Sequence, residues 1–280
     1  MALNEDDKKA IVSYVKKGPR TIQEISKLIK RSWVTTDSYV KQVKEITGLI
    51  DCRTFRAGSK AALKIVFYNY SDSVASDDLR ESLYSQIRSG RNKKDFDFMD
   101  IFQSIDNKKK KAFTEYYTNE DAFSGKHRLI PLLRQAESNI YCFSGNVSFI
   151  NLKENNEKVI DVIEETLKRK VHIKLLCRIN IASIANISKL QALAQKYQGF
   201  IEIKHCYHPL RGFIIDDKIA RFKHEEKAED YKHGELEKDT RIFYEIYDQE
   251  WIAWLQKVFW NMFRTSTDYE RRLKEIKRIF

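Results

Sequence analysis

Thr35, Ser38, Lys41 and Gln42 recur at one-, three- and four-residue intervals, with Lys44 a further step along. At about 100° per residue the first four share one side of a helix. Hydroxyl, amide and ammonium groups so placed can donate or accept at base edges and phosphates. Arg53, Arg56 and Lys60 follow shortly after, cations suited to phosphate oxygens. Much later, Tyr207-His208-Pro209-Leu210-Arg211-Gly212-Phe213-Ile214-Ile215-Asp216-Asp217 brings an imidazole, a guanidinium and carboxylates into one short stretch. The neighbouring His205-Cys206-Tyr207-His208 has the residue types of a metal site, but its spacing reads as a strand end and predicts no metal. Cys52, Cys142, Cys177 and Cys206 lie far apart without a C-x-x-C pair, so buried free thiols in a reducing compartment are expected. No cofactor is implied.

The elements that must carry these residues can be read turn by turn. Asn4 caps a first helix with acidic Glu5-Asp6-Asp7, and Ala10, Ile11, Tyr14 and Val15 form its apolar stripe. Lys16-Lys17-Gly18-Pro19 stops it. Thr21 and Glu24 make a capping box for a second helix with Ile22, Ile25, Leu28 and Ile29. A third helix is predicted over 34–47, with Thr36, Tyr39, Val40, Val43, Ile46 and Thr47 facing inward. Two strands, 49–56 and 61–68, flank Ala57-Gly58-Ser59-Lys60 and form a basic hairpin.

Three short helices followed by such a hairpin resemble the winged helix–turn–helix of prokaryotic transcriptional regulators. The stretches T-I-Q-E-I-S-K-L-I and Y-V-K-Q-V-K-E-I-T-G-L-I carry the likeness. In that motif the third helix enters the major groove and the wing rides the adjacent backbone or minor groove. Charge agrees: residues 1–70 hold 14 Lys/Arg against 7 Asp/Glu, a net of +7, leaving +4 of the whole-chain +11 to the other 210 residues. The resemblance implies double-stranded DNA as partner. Charged content of 32% and the absence of a roughly 20-residue apolar run argue for a globular chain with no membrane span. The polar start MALNEDDKKA has no signal-peptide core, and a cytoplasmic location is expected.

Residues 71–114 read as a helical linker and dimerisation segment. Leu79, Leu83 and Ile87 stripe one helix, and Phe96, Phe98, Met99, Ile101, Phe102 and Ile105 pack into a second apolar helical segment, fit for local core or for dimer contact. The run Lys108–Lys111 reads as a solvated loop. From 115 to 280 the rhythm alternates helices and strands and closes with antiparallel pieces, which predicts an α/β domain with a mixed sheet.

Within it, the stretch around His208 resembles the phospholipase D superfamily motif, His-x-Lys-x4-Asp, supported by Ile140-Tyr141-Cys142-Phe143-Ser144-Gly145-Asn146 and Ile242-Phe243-Tyr244-Glu245. Anchoring on Asp216 puts Arg211 at the family's lysine and Pro209 at its nucleophilic histidine. His208 falls one place early, which on a strand points it to the opposite face. Ala220-Arg221-Phe222-Lys223-His224 stands where active members carry Gly-Ser-x-Asn. The resemblance therefore implies the fold without the reaction. The whole arrangement is similar to the archaeal TrmB-like regulators, which implies a homodimer and, as in some members, a small-molecule effector. Arg211 and Asp216 would then line an effector pocket or form a structural ion pair. Two functions follow: a dimeric DNA-binding regulator of sequence-specific or chromatin type with an inactive phospholipase D-like domain, or a phosphodiesterase targeted to DNA and working through His208, Arg211 and Asp216.

Overall fold

A computed structural model describes residues 3–56, 62–68, 76–116, 129–232 and 235–278 of the 280-residue chain. The architecture is the mixed α/β one expected from the sequence. Helix α1 (Glu5–Lys16) starts where the Asn4 side chain accepts the Asp7 N–H at 2.6 Å, and the chain turns away at Gly18, whose φ of +147° excludes other side chains, and Pro19. A short strand β1 (Arg20–Thr21) leads into α2 (Ile22–Ile29). Its capping box is complete: Thr21 Oγ1 accepts from Glu24 N at 3.2 Å, and Glu24 Oε2 accepts from Thr21 N at 2.7 Å. Helix α3 (Trp33–Thr47) is capped by Ser32 and closed by Gly48. Strands β2 (Ile50–Arg56) and β3 (Ala62–Tyr68) pair antiparallel, with β1 on the far side of β3. Ile11, Val15, Ile22, Ile25, Tyr39, Val40, Val43, Ile50 and Val66 close this small core. The glycine turn of the hairpin and Lys60 lie outside the described residues.

Ile46 departs from expectation. It is 64% exposed, because it sits on the flank of the α3 stripe in the last helical turn.

Next come α4 (Ser76–Ser89) and α5 (Met99–Gln103). The predicted helical segment around Phe96–Ile105 keeps only the five helical residues of α5. Carboxylates interrupt it: Asp95 accepts the Arg91 and Asn92 N–H groups at 2.7 and 2.8 Å, and Asp97 accepts Met99 N–H at 2.9 Å. Such side-chain bonds give the backbone an alternative to helix. Strand β4 (Lys110–Tyr116) takes in Lys110 and Lys111, which the sequence placed in a loop.

The larger domain continues with α6 (Leu129–Arg134), β5 (Asn139–Ser144), a minor hairpin of β6 (Lys153–Glu154) and β7 (Glu157–Lys158), α7 (Val159–Lys168), β8 (His172–Cys177) and α8 (Ile184–Lys196). It ends with β9 (Ile201–His205), β10 (Gly212–Ile215), β11 (Ile219–Glu226), β12 (Thr240–Ile246), α9 (Gln249–Arg264), β13 (Thr267–Asp268) and α10 (Tyr269–Lys277). The sheet order is β13-β9-β8-β5-β10-β11-β12-β4, with β5, β8 and β9 parallel and the other pairs antiparallel. Successive residues serve opposite faces. Ile140, Cys142 and Leu175 pack with the side chains of α7 and α8, whereas Tyr141, Phe143 and Leu176 pack with those of α9.

The second of these cores does not stop at the sheet. Phe55, Leu63 and Ile65 of the β2–β3 hairpin join it through the 96–105 segment. Phe98 stacks on Phe222 at 4.2 Å between ring centroids, and Phe102 meets Tyr244 at 4.9 Å. Phe96, Phe98, Met99, Ile101, Phe102 and Ile105 are all buried within the chain. They are core, and no apolar dimer face remains there. Phe102→Ala should cost about 3–5 kcal/mol of unfolding free energy, the usual penalty for emptying a buried aromatic site, as read from urea denaturation.

Candidate nucleic-acid interface and interdomain cleft

On α3 the expected donors stand on the outer surface. Ser38 and Lys41 are exposed, Gln42 Nε2 donates to Ser38 Oγ at 3.3 Å, and Thr35 shares a 2.8 Å hydroxyl contact with Ser32. Lys41 pairs with Asp37 at 2.9 Å, and Lys64 holds the other oxygen of Asp37 at 2.5 Å. Lys44 pairs with Asp51 at the start of β2. These ion pairs orient the two lysines without hiding them: Lys41 remains 61% exposed at its side chain. Trp33 and Val34, in the first turn of the same helix, are also exposed, at 39% and 74%. The sequence reading passed over both, although apolar side chains at the start of a polar helix face were the available signal.

Arg53 does not belong to this surface. Its guanidinium lies 5.1 Å from the Phe102 ring and 5.6 Å from that of Phe55, and burial pulls its pKa down. The period of two explains it: Arg53 shares a strand face with Phe55, and that face turns toward the larger domain. Arg56 ends β2.

Between the two domains lies a cleft of about 810 Å³. Its walls come from the α1–β1 turn and α2, the 93–100 segment, the loop after β5, and strands β10–β12. Here the His208–Asp216 stretch comes apart. β10 begins only at Gly212, so His208 sits in the preceding loop rather than on a strand. Its ring packs edge-on against Phe143 at 5.4 Å, and Nε2 donates to Leu176 O at 3.0 Å. Burial, then the charge of Arg211, pushes its pKa down to about 3. This core imidazole is neutral near pH 7, with its Nε2 proton committed to the Leu176 carbonyl.

Arg211 does line the cleft. Nη1 donates to Leu210 O at 2.6 Å and His208 O at 3.2 Å, and burial pulls the guanidinium pKa down to about 10. Asp216 is elsewhere. In the left-handed region at φ +48°, it closes the β10–β11 turn and accepts the N–H groups of Glu137, Ser138 and Asn139 at 2.7–2.9 Å. Among the described residues it neither pairs with Arg211 nor reaches the cleft, so the expected shared pocket or ion pair is not formed. Its carboxylate docks the start of β5 instead.

The cleft has two electrical ends. Near the sheet, Glu225 is held by Lys93 at 2.7 Å, Lys223 at 2.9 Å and Arg241 at 3.6 Å. Burial opposes its charge, yet these cations keep its carboxyl far below the usual range. Toward the small domain, Asp97, Asp100, Glu226 and His224 gather near Arg20, and Arg20 in turn stacks on Tyr14 and pairs with Glu24 at 3.8 Å. Burial and then the charge of Asp97 push Asp100 up to about 8. Burial disfavours the His224 charge, but Asp97 and a 3.1 Å contact with Glu226 outweigh it and hold its pKa up to about 9. Asp97, Asp100, Glu226 and Arg20 were not singled out from the sequence. Scattered over three segments, they carry no motif.

Elsewhere the reactive side chains are quiet. Burial raises the thiols of Cys142 and Cys177, the latter to about 12, far from a reactive thiolate. His205 Nδ1 accepts from Ile179 N–H at 2.9 Å. No cluster among the described residues has the ligands for a metal, and no described helix is long and apolar enough to cross a membrane.

No protein-family model and no curated protein sequence matches this chain. Among solved structures it is similar to TrmBL2, an archaeal chromatin protein whose structure is described as showing a novel mode of DNA binding. The identity is 17% over 95% of this chain and 94% of that one, with a TM-score of 0.41. Over 57% of its length it is similar to Nuc, a phospholipase D family member from Salmonella typhimurium, at 11% identity across 98% of that chain (TM-score 0.39). NucT from Helicobacter pylori shows 14% identity over the same share of this chain and 99% of its own (TM-score 0.39).

The acidic end predicts a pH response. Unfolded Asp100 ionises near the ordinary carboxylate value of 3.8, whereas the folded group stays protonated to about 8, so its contribution to stability is lost as pH rises across that window. His224, protonated in the fold to about 9 against 6.5 unfolded, loses its contribution from about pH 6.5 upward. Thermal midpoints should therefore fall between pH 6.5 and 8, and Asp100→Asn should flatten that fall. An unchanged slope in the variant would remove Asp100 from the explanation.

Proposed function

We propose that this chain is a DNA-binding regulator that acts as a dimer, with a catalytically silent larger domain used for assembly or effector sensing. The observation that carries the reading is the outer face of α3, where Thr35, Ser38, Lys41 and Gln42 stand free of the core on a helix that the winged arrangement projects outward. The local excess of +7 over residues 1–70 supports a polyanionic partner. α3 would lie in the major groove, Lys41 and Lys44 would reach phosphates, and the tip of the hairpin, with Arg56 and Lys60, would ride the backbone. A single winged helix covers few bases, so two copies on paired half-sites are the economical route to specificity. Their contact is assigned to the larger domain, since the 96–105 side chains are internal.

The placement of His208 supports silence. A phosphodiesterase of the phospholipase D type needs an imidazole free to attack phosphorus. Here the imidazole is packed on Phe143 and bonded to Leu176 O, with Pro209 in the position beside it.

Fluorescence anisotropy with a labelled duplex tests the main reading. Affinity should fall steeply between about 50 and 200 mM salt, and Lys41→Ala should lower the log–log slope by about 1. Arg53→Ala should leave that slope alone while lowering thermal stability. Salt-independent binding would sink the proposal. Light scattering should show a two-chain species, and a strict monomer both free and on DNA would refute the dimer. Plasmid nicking and a chromogenic phosphodiester should give no turnover with wild type or with His208→Ala; turnover that the substitution abolishes would favour the nuclease reading instead.

A further inference from the structure

The sheet end of the cleft gathers guanidinium groups. Parallel strands β5 and β8 finish side by side at Ser144 and Cys177, and β10 enters antiparallel on the other flank of β5. Gly145, Arg178 and Arg211 therefore converge outside the carboxyl ends of two parallel strands, where open α/β sheets take their ligands. Arg178 N–H donates to Gly145 O at 2.8 Å. The Arg211 guanidinium lies directly on Gly145: a Cβ at this position would come within 2.8 Å of Nη2 and 2.9 Å of Nε.

Both arginines are without a carboxylate among the described residues. Arg211 donates to backbone carbonyls, and Arg178 Nη1 donates to Asn92 Oδ1 at 3.2 Å while its buried Nε has no partner. Lys223 and Lys93 stand close by and share the carboxylate of Glu225. Arg178, Arg211, Lys93 and Lys223 all line the 810 Å³ cavity. A guanidinium as desolvated as that of Arg211 is costly without counter-charge unless something anionic completes the site. Guanidinium forks match the tetrahedral oxygens of phosphate.

We infer that Arg178 and Arg211 form an oxyanion site for the phosphate group of a small phosphorylated metabolite, whose polar body would extend toward Asp97, Asp100 and His224. The site deepens, and for its biological meaning rests on, the effector-sensing part of the function proposed above. A cavity of this size suits a small organic molecule, and a phosphate group fills only part of it.

The test uses the full chain with inorganic phosphate and pyrophosphate as probes, against potassium chloride at matched ionic strength. Thermal shift and titration calorimetry should show saturable binding of the probes and none of chloride. Arg178→Gln and Arg211→Gln should each weaken binding by about tenfold or more, the usual loss when a charge-assisted hydrogen bond is removed. Gly145→Ala, which changes no charge, should weaken it as well by displacing the Arg211 guanidinium. Lys257→Gln, on the exposed side of α9, should bind as wild type. Equal stabilisation by chloride, or wild-type affinity in folded Arg178→Gln and Gly145→Ala, would overturn the site. Duplex binding is followed on the same samples: phosphate uptake without duplex binding upholds the site and sinks the regulator, and the converse sinks the site alone.

Discussion

Ring contacts, stacked between Phe98 and Phe222 and tilted between Phe102 and Tyr244, make two domains share one core. The 96–105 segment offers one apolar side to the β2–β3 hairpin and another to the antiparallel half of the sheet. Aromatic pairs of this kind add roughly 0.5–1.5 kcal/mol each beyond the area they bury. Cations reinforce the same wedge. Arg53 and Lys110 both lie near the Phe102 ring, and Lys110 Nζ also donates to the carbonyls of Phe102 and Gln103 at 2.8 and 3.2 Å. Burial, with Arg53 nearby, pulls the Lys110 pKa down to about 8, the electrostatic cost of packing two cations on one ring.

The cleft exists because this wedge holds the domains side by side without filling the space next to it. Its electrical asymmetry follows from which strands supply each wall. The loops after β8 and before β10 bring guanidinium groups, whereas the 97–100 turn and the end of β11 bring carboxyls. Protonation softens the acidic end: with Asp100 neutral up to about pH 8 and His224 charged up to about 9, that wall stores protons rather than net negative charge. Its carboxyls therefore repel an anionic ligand less than their number implies.

Much of the architecture was legible in the residues. The Asn4 cap, the Thr21/Glu24 capping box and the strand–helix alternation after 129 are local signals, written within a few positions of the bonds they make. The outward set on α3 was likewise readable, since helical periodicity separates it from Val40 and Val43. What escaped were consequences of the domains meeting. Arg53 reads as a wing cation until the hairpin face it shares with Phe55 is known to be covered. Asp216 reads as a partner for Arg211 until its turn is seen to dock on the 137–139 backbone. Arg178 carries no signature, because strand order alone brings the loop after β8 beside the one before β10, and Lys223 and Glu225 meet only as same-face neighbours on β11.

The burial of Arg53 and Phe55 has a mechanical side. A wing that hangs free can swing to follow a groove, but this one is bolted through one face to an eight-stranded sheet. On the proposed reading, a duplex laid across α3 would meet a hairpin whose described strands are already fixed, and the adjustment would fall to the nucleic acid. Flexible steps such as TA and CA/TG yield at less cost than stiff A-tracts. Sequence would then be sensed partly as compliance, at base pairs no side chain touches.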